Sequence, residues 1–266
     1  MLGLLMGIAL LVSSIGFYRM VYFISVGYAF SITMMAVALV VVGWGRLDLL
    51  SLVHNALLLA WGLRLGIFLV QREWRQKSYR RQAEAMHGAS AGLNLGVRFL
   101  IWITVAALYV ALFAPALFAG MGRTPLPGWA VVLQLLGIVG MAGGLAIETV
   151  ADAQKSAAKQ RAPQAFVSTG LYGWVRCPNY LGEMLFWVGN FVAALGFYQG
   201  VGAWAISIIG LVCLILIMLG STRRLEMAQD ARYGKDVDYQ RYVRATPVII
   251  PYAPVYTVRN LRVYLG

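Results

Sequence analysis

Seven stretches of this chain each run for about the length needed to cross the hydrocarbon core of a bilayer while carrying almost no charge. They fall near residues 1–17, 20–44, 48–70, 98–120, 127–149, 179–198 and 201–220. Roughly 20 helical residues at about 1.5 Å each span a core about 30 Å thick. Inside lipid every backbone polar group must find its partner within the chain, so such runs form helices. Composition agrees: the chain is 61% apolar and 12% charged, where soluble domains are roughly 45–50% and about 25%. An ordinary water-soluble enzyme is excluded, and two cysteines cannot make a disulfide scaffold. The expectation is an all-α integral membrane protein with seven transmembrane helices. Only Arg19 and the aromatics around it separate the first two runs, so six helices is the competing count.

The charges test that count. The chain has 22 Lys and Arg against 10 Asp and Glu, a net charge of +12. With seven spans, segments 18–20, 72–98, 150–176 and 221–266 share one face and hold 19 of the 22 cations. The other face keeps Arg46 and Arg123, and Arg64 lies inside the third run. Cationic loops mark the cytosolic side, which places the N-terminus outside and the C-terminus in the cytosol. The basic excess then answers to anionic lipid, and no nucleic-acid partner is expected. The chain reads as a single polytopic membrane domain over 1–266, with cytosolic loops 72–98 and 150–178 and a cytosolic tail 221–266. Residues 1–17 lack the basic start of a cleavable signal peptide. Cys177 and Cys213 are expected to be reduced. The compact chain fits a bacterial inner membrane, and no obligate protein partner is evident.

An ionisable group in hydrocarbon costs about 2.5–3.5 kcal/mol, so each such residue raises a functional question. His54 and Asn55 lie near the outer boundary of the third run, where interhelical hydrogen bonding is the plainer role. Arg64 can snorkel to the cytosolic interface. Glu148 and Asp152, four residues apart, share one helical face that Lys155 and Lys159 continue. That spacing suits either a self-paired solvated helix end or the ribose and phosphates of a polar ligand. Gly137, Gly140, Gly143 and Gly144 sit within the fifth run, where small residues let helices approach closely.

The segment 170–183 carries more. Pro178 suits a first helical turn, with Cys177 or Arg176 at the cap. Asn179, Glu183, Trp187 and Asn190 then recur at steps of three and four, a polar stripe that must look into the bundle or a watery cavity. Asn offers a donor and an acceptor, and an ionised Glu an acceptor; together they can read a carboxamide. Interhelical hydrogen bonding is the alternative. In the tail, Arg223, Arg224, Glu226, Tyr239, Tyr242 and Arg244 precede Pro247–Pro251. Guanidinium forks suit phosphate and flat rings suit adenine, while binding of anionic lipid needs no more than the charge. No G-x-G-x-x-G between strand and helix, no G-x-x-x-x-G-K-[ST], no H-E-x-x-H and no metal-spaced Cys/His set occurs. No metal site is expected.

Taken in order, these segments resemble the steroid 5α-reductase family, its bacterial membrane branch and the related sterol C14/C7 reductases. Pro178-Asn179-Tyr180-Leu181-Gly182-Glu183 is similar to the family's N-[FY]-x-G-E element. Ala151-Asp152-Ala153-Gln154-Lys155 is similar to the end of the preceding helix, and Trp61-Gly62-Leu63-Arg64-Leu65 with Arg72 to the upstream helix. Tyr233-Gly234-Lys235-Asp236, Tyr239 and the Ile-Pro ending are similar to the family's C-terminus. The resemblance implies a seven-helix fold that binds NADPH in its cytosolic half and reduces a C=C bond conjugated to a ketone, typically in a 3-oxo-Δ4 steroid. It assigns Asn179 and Glu183 to the nicotinamide end and Asp152 to the ribose or diphosphate side, with Arg161 or Lys159 near a phosphate. Arg75, Arg176, Arg223, Arg224 and Tyr239 are further phosphate or adenine candidates, and Lys155, Trp174, Tyr180 and Glu226 complete the cofactor set. Trp174 stands where some relatives carry Tyr, and Glu226 where some carry Asp or Tyr. The carbonyl-activating Gln-Glu pair of mammalian relatives has no counterpart: Val26 and Gly27 occupy its place and Trp61 the place of a Tyr. Tyr28, with Ser25 nearby, is the nearest hydroxyl, so the catalytic set is Tyr28, Trp61 and Arg64, acting on a lipophilic, steroid-like enone.

Two other readings stay open. Arg176-Cys177-Pro178-Asn179-Tyr180 fits loosely the R-x-P-x-Y-x-G element of isoprenylcysteine carboxyl methyltransferases, which bind S-adenosylmethionine and usually carry His before the Pro. A non-catalytic sterol-binding membrane protein would also explain the missing Gln-Glu pair.

Overall fold

The computed structural model describes residues 1–75, 92–122 and 126–261; of Arg75 it describes the backbone. Among these residues every regular element is helical. The longer helices are α1 (Leu2–Ser13), α2 (Val26–Val42), α3 (Leu49–Arg75), α4 (Leu95–Met121), α5 (Gly128–Arg161), α6 (Pro178–Ala193), α7 (Gly200–Tyr233) and α8 (Val237–Ala245). Among the described residues five segments are long and apolar enough to cross a membrane: Leu49–Trp74, Leu95–Met121, Gly128–Arg161, Pro178–Phe197 and Gly200–Tyr233. The chain is therefore an all-helical protein suited to a bilayer, with several crossings. The first two apolar runs of the sequence make shorter helices, Leu2–Phe17 and Val26–Val42. Between them the chain tightens into 3-10 turns at Ser14–Phe17 and Met20–Ile24, with Arg19 extended (φ −144°, ψ 124°).

That break has a chemical cause. Arg19 Nη1 lies 2.5 Å from Glu73 Oε1, and the Tyr22 hydroxyl donates to the same oxygen at 2.6 Å. The cation also sits over the rings of Tyr18 and Tyr22. A continuous helix through Arg19 would have to put this charge into lipid, and the extended residue lets it meet its carboxylate instead.

The chain divides into two compact units, Met1–Ile138 with Asn190–Gly210, and Val139–Gly189 with Leu211–Gly266. In the first unit, α2 and α3 pack so closely that a Cβ on Gly62 would lie 2.7 Å from Ala29 O. Trp102 Nε1 donates to Leu10 O at 2.9 Å, and Phe17, Phe23, Phe99 and Trp102 form one aromatic cluster. These contacts gather the α1–α2 link and the start of α4 at one end of the unit, and Glu73 joins Arg19 there. At the other end Gly120 meets Leu47, and Gly122 meets the ring of Phe197. Within this unit, residues 18–20, the Glu73 end of α3 and the start of α4 thus lie together.

The second unit contains the polar end of α5, most of α6, the cationic end of α7, α8 and the tail. Two of the α5 glycines do the expected work: Gly144 packs backbone to backbone on Gly182 and Phe186 of α6, and Gly140 meets Gly189, whereas a Cβ on Gly143 would meet nothing beyond its own helix within 4 Å among the described residues. Small residues are needed there because a Cβ on Gly182 would come within 2.6 Å of Glu148 N. Pro178 opens α6, and Leu181 N donates to Cys177 O at 3.1 Å, so Cys177 is the cap. Both cysteines are free thiols.

Candidate functional site

The antiparallel packing of α5 on α6 sets the register of the second unit. Glu148 lies against Gly182, the neighbour of Glu183, and both carboxylates are buried, 3% and 8% exposed. One helical turn further along α5, Asp152 comes level with the Pro178–Asn179 turn. The 170–177 loop is pinned beside it. Leu171 N donates to Gln154 Oε1 at 3.0 Å, and the Tyr172 hydroxyl donates to Ala151 O at 3.3 Å. Gly170 takes φ +66° over the Gln154 amide, a backbone state and a closeness that only glycine meets without strain. Asn179 Oδ1 is a buried acceptor with no hydrogen-bond partner among the described residues. An N–H donor arriving beside Glu183 would satisfy it.

The tail closes over the start of α6. Arg176 N donates to Pro247 O and Cys177 N to Val248 O, both at 2.9 Å. Val248, Ile249 and Val258 bury with Cys177 against Tyr180, Leu181 and Met184. Underneath lies an ion pair: Arg176 Nη2 is 3.1 Å from Glu226 Oε1, each side chain 2% exposed. Arg176 Nη2 also donates to Tyr256 O at 2.5 Å, and Glu226 Oε2 accepts from Val258 N at 2.9 Å. Arg259 reaches Glu226 at 3.4 Å and Asp230 at 2.8 Å. The Tyr239 hydroxyl donates to Asp230 Oδ1 at 2.8 Å, and burial together with that carboxylate raises its pKa above the usual tyrosine value.

The residues singled out in the sequence therefore divide. Asp152, Lys155, Asn179, Tyr180 and Glu183 gather around the α5–α6 crossing, all engaged or partly buried. Arg176, Glu226 and Tyr239 hold the tail. Arg161 and Arg224 are exposed, Arg224 donating to Ser221 Oγ at 3.0 Å, and Arg223 Nε donates to Arg259 O at 2.8 Å. Trp174 is 66% exposed. The side chain of Arg75 lies outside the described residues. Lys159 donates to Ala165 O at 2.6 Å and to the Tyr233 hydroxyl at 2.8 Å.

In the first unit the Tyr28 ring lies between Trp61 and Tyr109, centroids 5.1 and 5.2 Å away; Arg64 is one turn beyond Trp61 on α3. Asn190, the last member of the polar stripe, also belongs to this unit. It is an interhelical tie, its Nδ2 donating to Leu112 O at 2.9 Å and its Oδ1 2.7 Å from His54 Nε2. Asn55 Nδ2 likewise donates to Ala36 O at 2.9 Å. No group of three or more His, Cys, Asp or Glu residues with metal-site geometry occurs among the described residues.

Gln154, Phe166 and Tyr172 were not singled out in the sequence. Phe166 stacks on Tyr242 and meets Tyr233 and Tyr239 edge-on. The one sequence signal for this cluster was the tyrosine density of 233–242.

Cys177 gives a direct check of this packing. Burial is the main cause that pushes its thiol up to about 11, against lowering by Lys155 and Arg176. A raised thiol pKa means that protonated Cys177 supports folding at neutral pH, and that this support is lost as pH climbs from about 9 through about 11. In a Cys213→Ser background, iodoacetamide at pH 8 should leave Cys177 unmodified until detergent-solubilised protein is unfolded. Rapid alkylation of folded protein would show that the tail does not cover it.

A family model described as "Protein of unknown function (DUF1295)" matches residues 14–246. No curated protein and no solved structure matches the chain.

Proposed function

We propose that this chain, which belongs to the DUF1295 family and so to the steroid 5α-reductase-like group, is a membrane-embedded NADPH-dependent reductase of a C=C bond conjugated to a ketone, that of a 3-oxo-Δ4 steroid. The observation that carries the reading is the pair on α6: a buried Asn179 acceptor without a donor and, one turn on, the buried carboxylate of Glu183. A carboxamide presents an NH₂ that both can accept, so the residues present fit the nicotinamide end of NADPH. When bound, NADPH supplies the hydride. Asn179 and Glu183 hold the carboxamide and thereby orient the ring, while Asp152 and Lys155 lie level with the ribose and diphosphate side. Arg161, Arg223 and Arg224 remain for phosphate, since Arg176 is held by Glu226. Negative charge builds on the enone oxygen as hydride adds to the β-carbon, and a nearby acid stabilises it. Tyr28 of α2, its ring against Trp61, is assigned that role, with Arg64 one turn beyond Trp61 on α3.

The same reading extends to topology. With α1 and its 3-10 continuation as one crossing and the 17 residues of α2 as another, the chain crosses the membrane seven times. A 17-residue helix is about 25 Å long, short of the full core but within what a bilayer absorbs by thinning. The end that holds Arg19 and Glu73 faces the cytosol, and the N-terminus faces outward. Nineteen of 22 cations then lie on the cytosolic side, as in an inner-membrane protein whose cofactor site opens to the cytosol.

The test is NADPH oxidation by detergent-purified protein with testosterone as acceptor and the product identified by mass. A product heavier by two hydrogens is expected. If no product forms and NADPH leaves the Tm unchanged while S-adenosylmethionine raises it, the reductase reading is wrong and a methyltransferase replaces it.

A further inference from the structure

Within the first unit, His54 is 1% exposed and its hydrogen bonds can be assigned from heavy-atom geometry. Asn190 Nδ2 lies 2.9 Å from Leu112 O, a carbonyl that can only accept, so the amide's orientation is fixed. Asn190 Oδ1 must then be the acceptor of the 2.7 Å contact with His54, and His54 Nε2 the donor. An uncharged imidazole with its proton on Nε2 leaves a bare lone pair on Nδ1. That atom is buried and has no hydrogen-bond partner among the described residues.

The next residue repeats the pattern. Asn55 is 2% exposed, its Nδ2 is fixed on Ala36 O, and its Oδ1 is a buried acceptor without a partner among the described residues. Two adjacent positions of α3 thus present two unsatisfied acceptors in an apolar helix bundle. Leaving such groups dry is costly. Both ask for an O–H or N–H donor and neither asks for a charge.

We propose that His54, oriented by Asn190, is a binding site for an uncharged hydroxyl, supplied by a buried water or by the alcohol of a lipophilic ligand. The site uses none of the residues assigned to NADPH, Asn190 being the member of the α6 polar stripe farthest from Asn179, and only its ligand test takes the steroid from the reductase reading.

Two measurements test it. The first is nitrogen NMR on ¹⁵N-histidine-labelled protein carrying His87→Gln, which leaves His54 as the sole histidine of the two. Expected is an uncharged ring protonated at Nε2. The second compares binding of testosterone with its 17-deoxy counterpart, which keeps the enone and lacks the hydroxyl, in wild type and in His54→Phe. If Nδ1 is hydrogen-bonded without ligand, the occupant is water and the site stands. If Nδ1 is bare without ligand, the hydroxyl steroid should bind about tenfold tighter than the deoxy steroid, and His54→Phe should erase that preference. A proton on Nδ1 overturns the proposal, as does a bare Nδ1 with no hydroxyl preference. Neither readout needs NADPH or turnover; binding of neither steroid is a failure of the reductase reading's substrate class, whereas both steroids binding equally tightly beside a bare Nδ1 is a failure of this proposal. The NMR arm uses a protein with its bundle unaltered, which covers the case of a His54→Phe protein that does not fold.

Discussion

Glu183→Ala is expected to abolish most of the stabilisation that NADPH confers on this protein, and with it NADPH oxidation. The carboxylate is 8% exposed on the face of α6 that also carries Asn179, so a ligand amide reaching it would be out of bulk water. A hydrogen bond to a charged group in such a place contributes about 1.5–3 kcal/mol, or roughly 10- to 150-fold in affinity. The readout follows by mass action. At NADPH near 100 times Kd, wild type should gain about 2.7 kcal/mol, and a 100-fold weaker variant about 0.4 kcal/mol. Taking the difference between NADPH-bound and free protein for each variant cancels any loss of stability from the substitution itself. Asn179→Ala should weaken binding by a smaller factor, because it removes a neutral acceptor. Full NADPH stabilisation in Glu183→Ala would refute the assignment of the nicotinamide end.

The parts of this molecule that were legible in sequence are those where one physical term dominates. Apolar length made the five long spans visible, and the fixed φ of proline marked Pro178 as the first residue of α6. Glycine spacing announced the approach of α5 to α6, realised at Gly144 and Gly182. The cost of polar groups in lipid pointed to His54 and Asn55 as interhelical ties, and both tie helices. The first two spans were harder because their boundary depends on Arg19 finding Glu73, 54 residues away. Arg176 shows the deeper limit. A guanidinium that grips a phosphate and one that grips a carboxylate have the same chemistry, so sequence could name the group without naming its partner. The partner, Glu226, stood among the cofactor candidates through the family resemblance alone. Gln154 stood in the sequence only as one member of the 151–155 segment, and its role under Gly170 needed the fold.

The Arg176–Glu226 pair is expected to give an asymmetric double-mutant cycle. Both side chains are 2% exposed, and breaking a buried pair by removing one partner typically costs about 3–5 kcal/mol, because the remaining charge is stranded. The two charges are not stranded equally. Without Arg176, Glu226 keeps the Val258 N–H at 2.9 Å and the half-exposed Arg259 at 3.4 Å. Without Glu226, Arg176 keeps its hydrogen bond to the Tyr256 carbonyl and loses its neutralising charge. Glu226→Leu should therefore fall within that 3–5 kcal/mol range, and Arg176→Met below it. In Arg176→Met/Glu226→Leu no buried charge remains, and apolar side chains of similar volume should restore most of the loss. Thermal unfolding in detergent gives the three values. Limited proteolysis within 247–259 gives the structural correlate, since the pair anchors Tyr256 and Val258. Cleavage should be fastest in Glu226→Leu and near the wild-type rate in the double variant. Additive losses, with the double variant the least stable of the three, would show that the two residues do not act as a pair and would return Arg176 to the set of side chains available for phosphate.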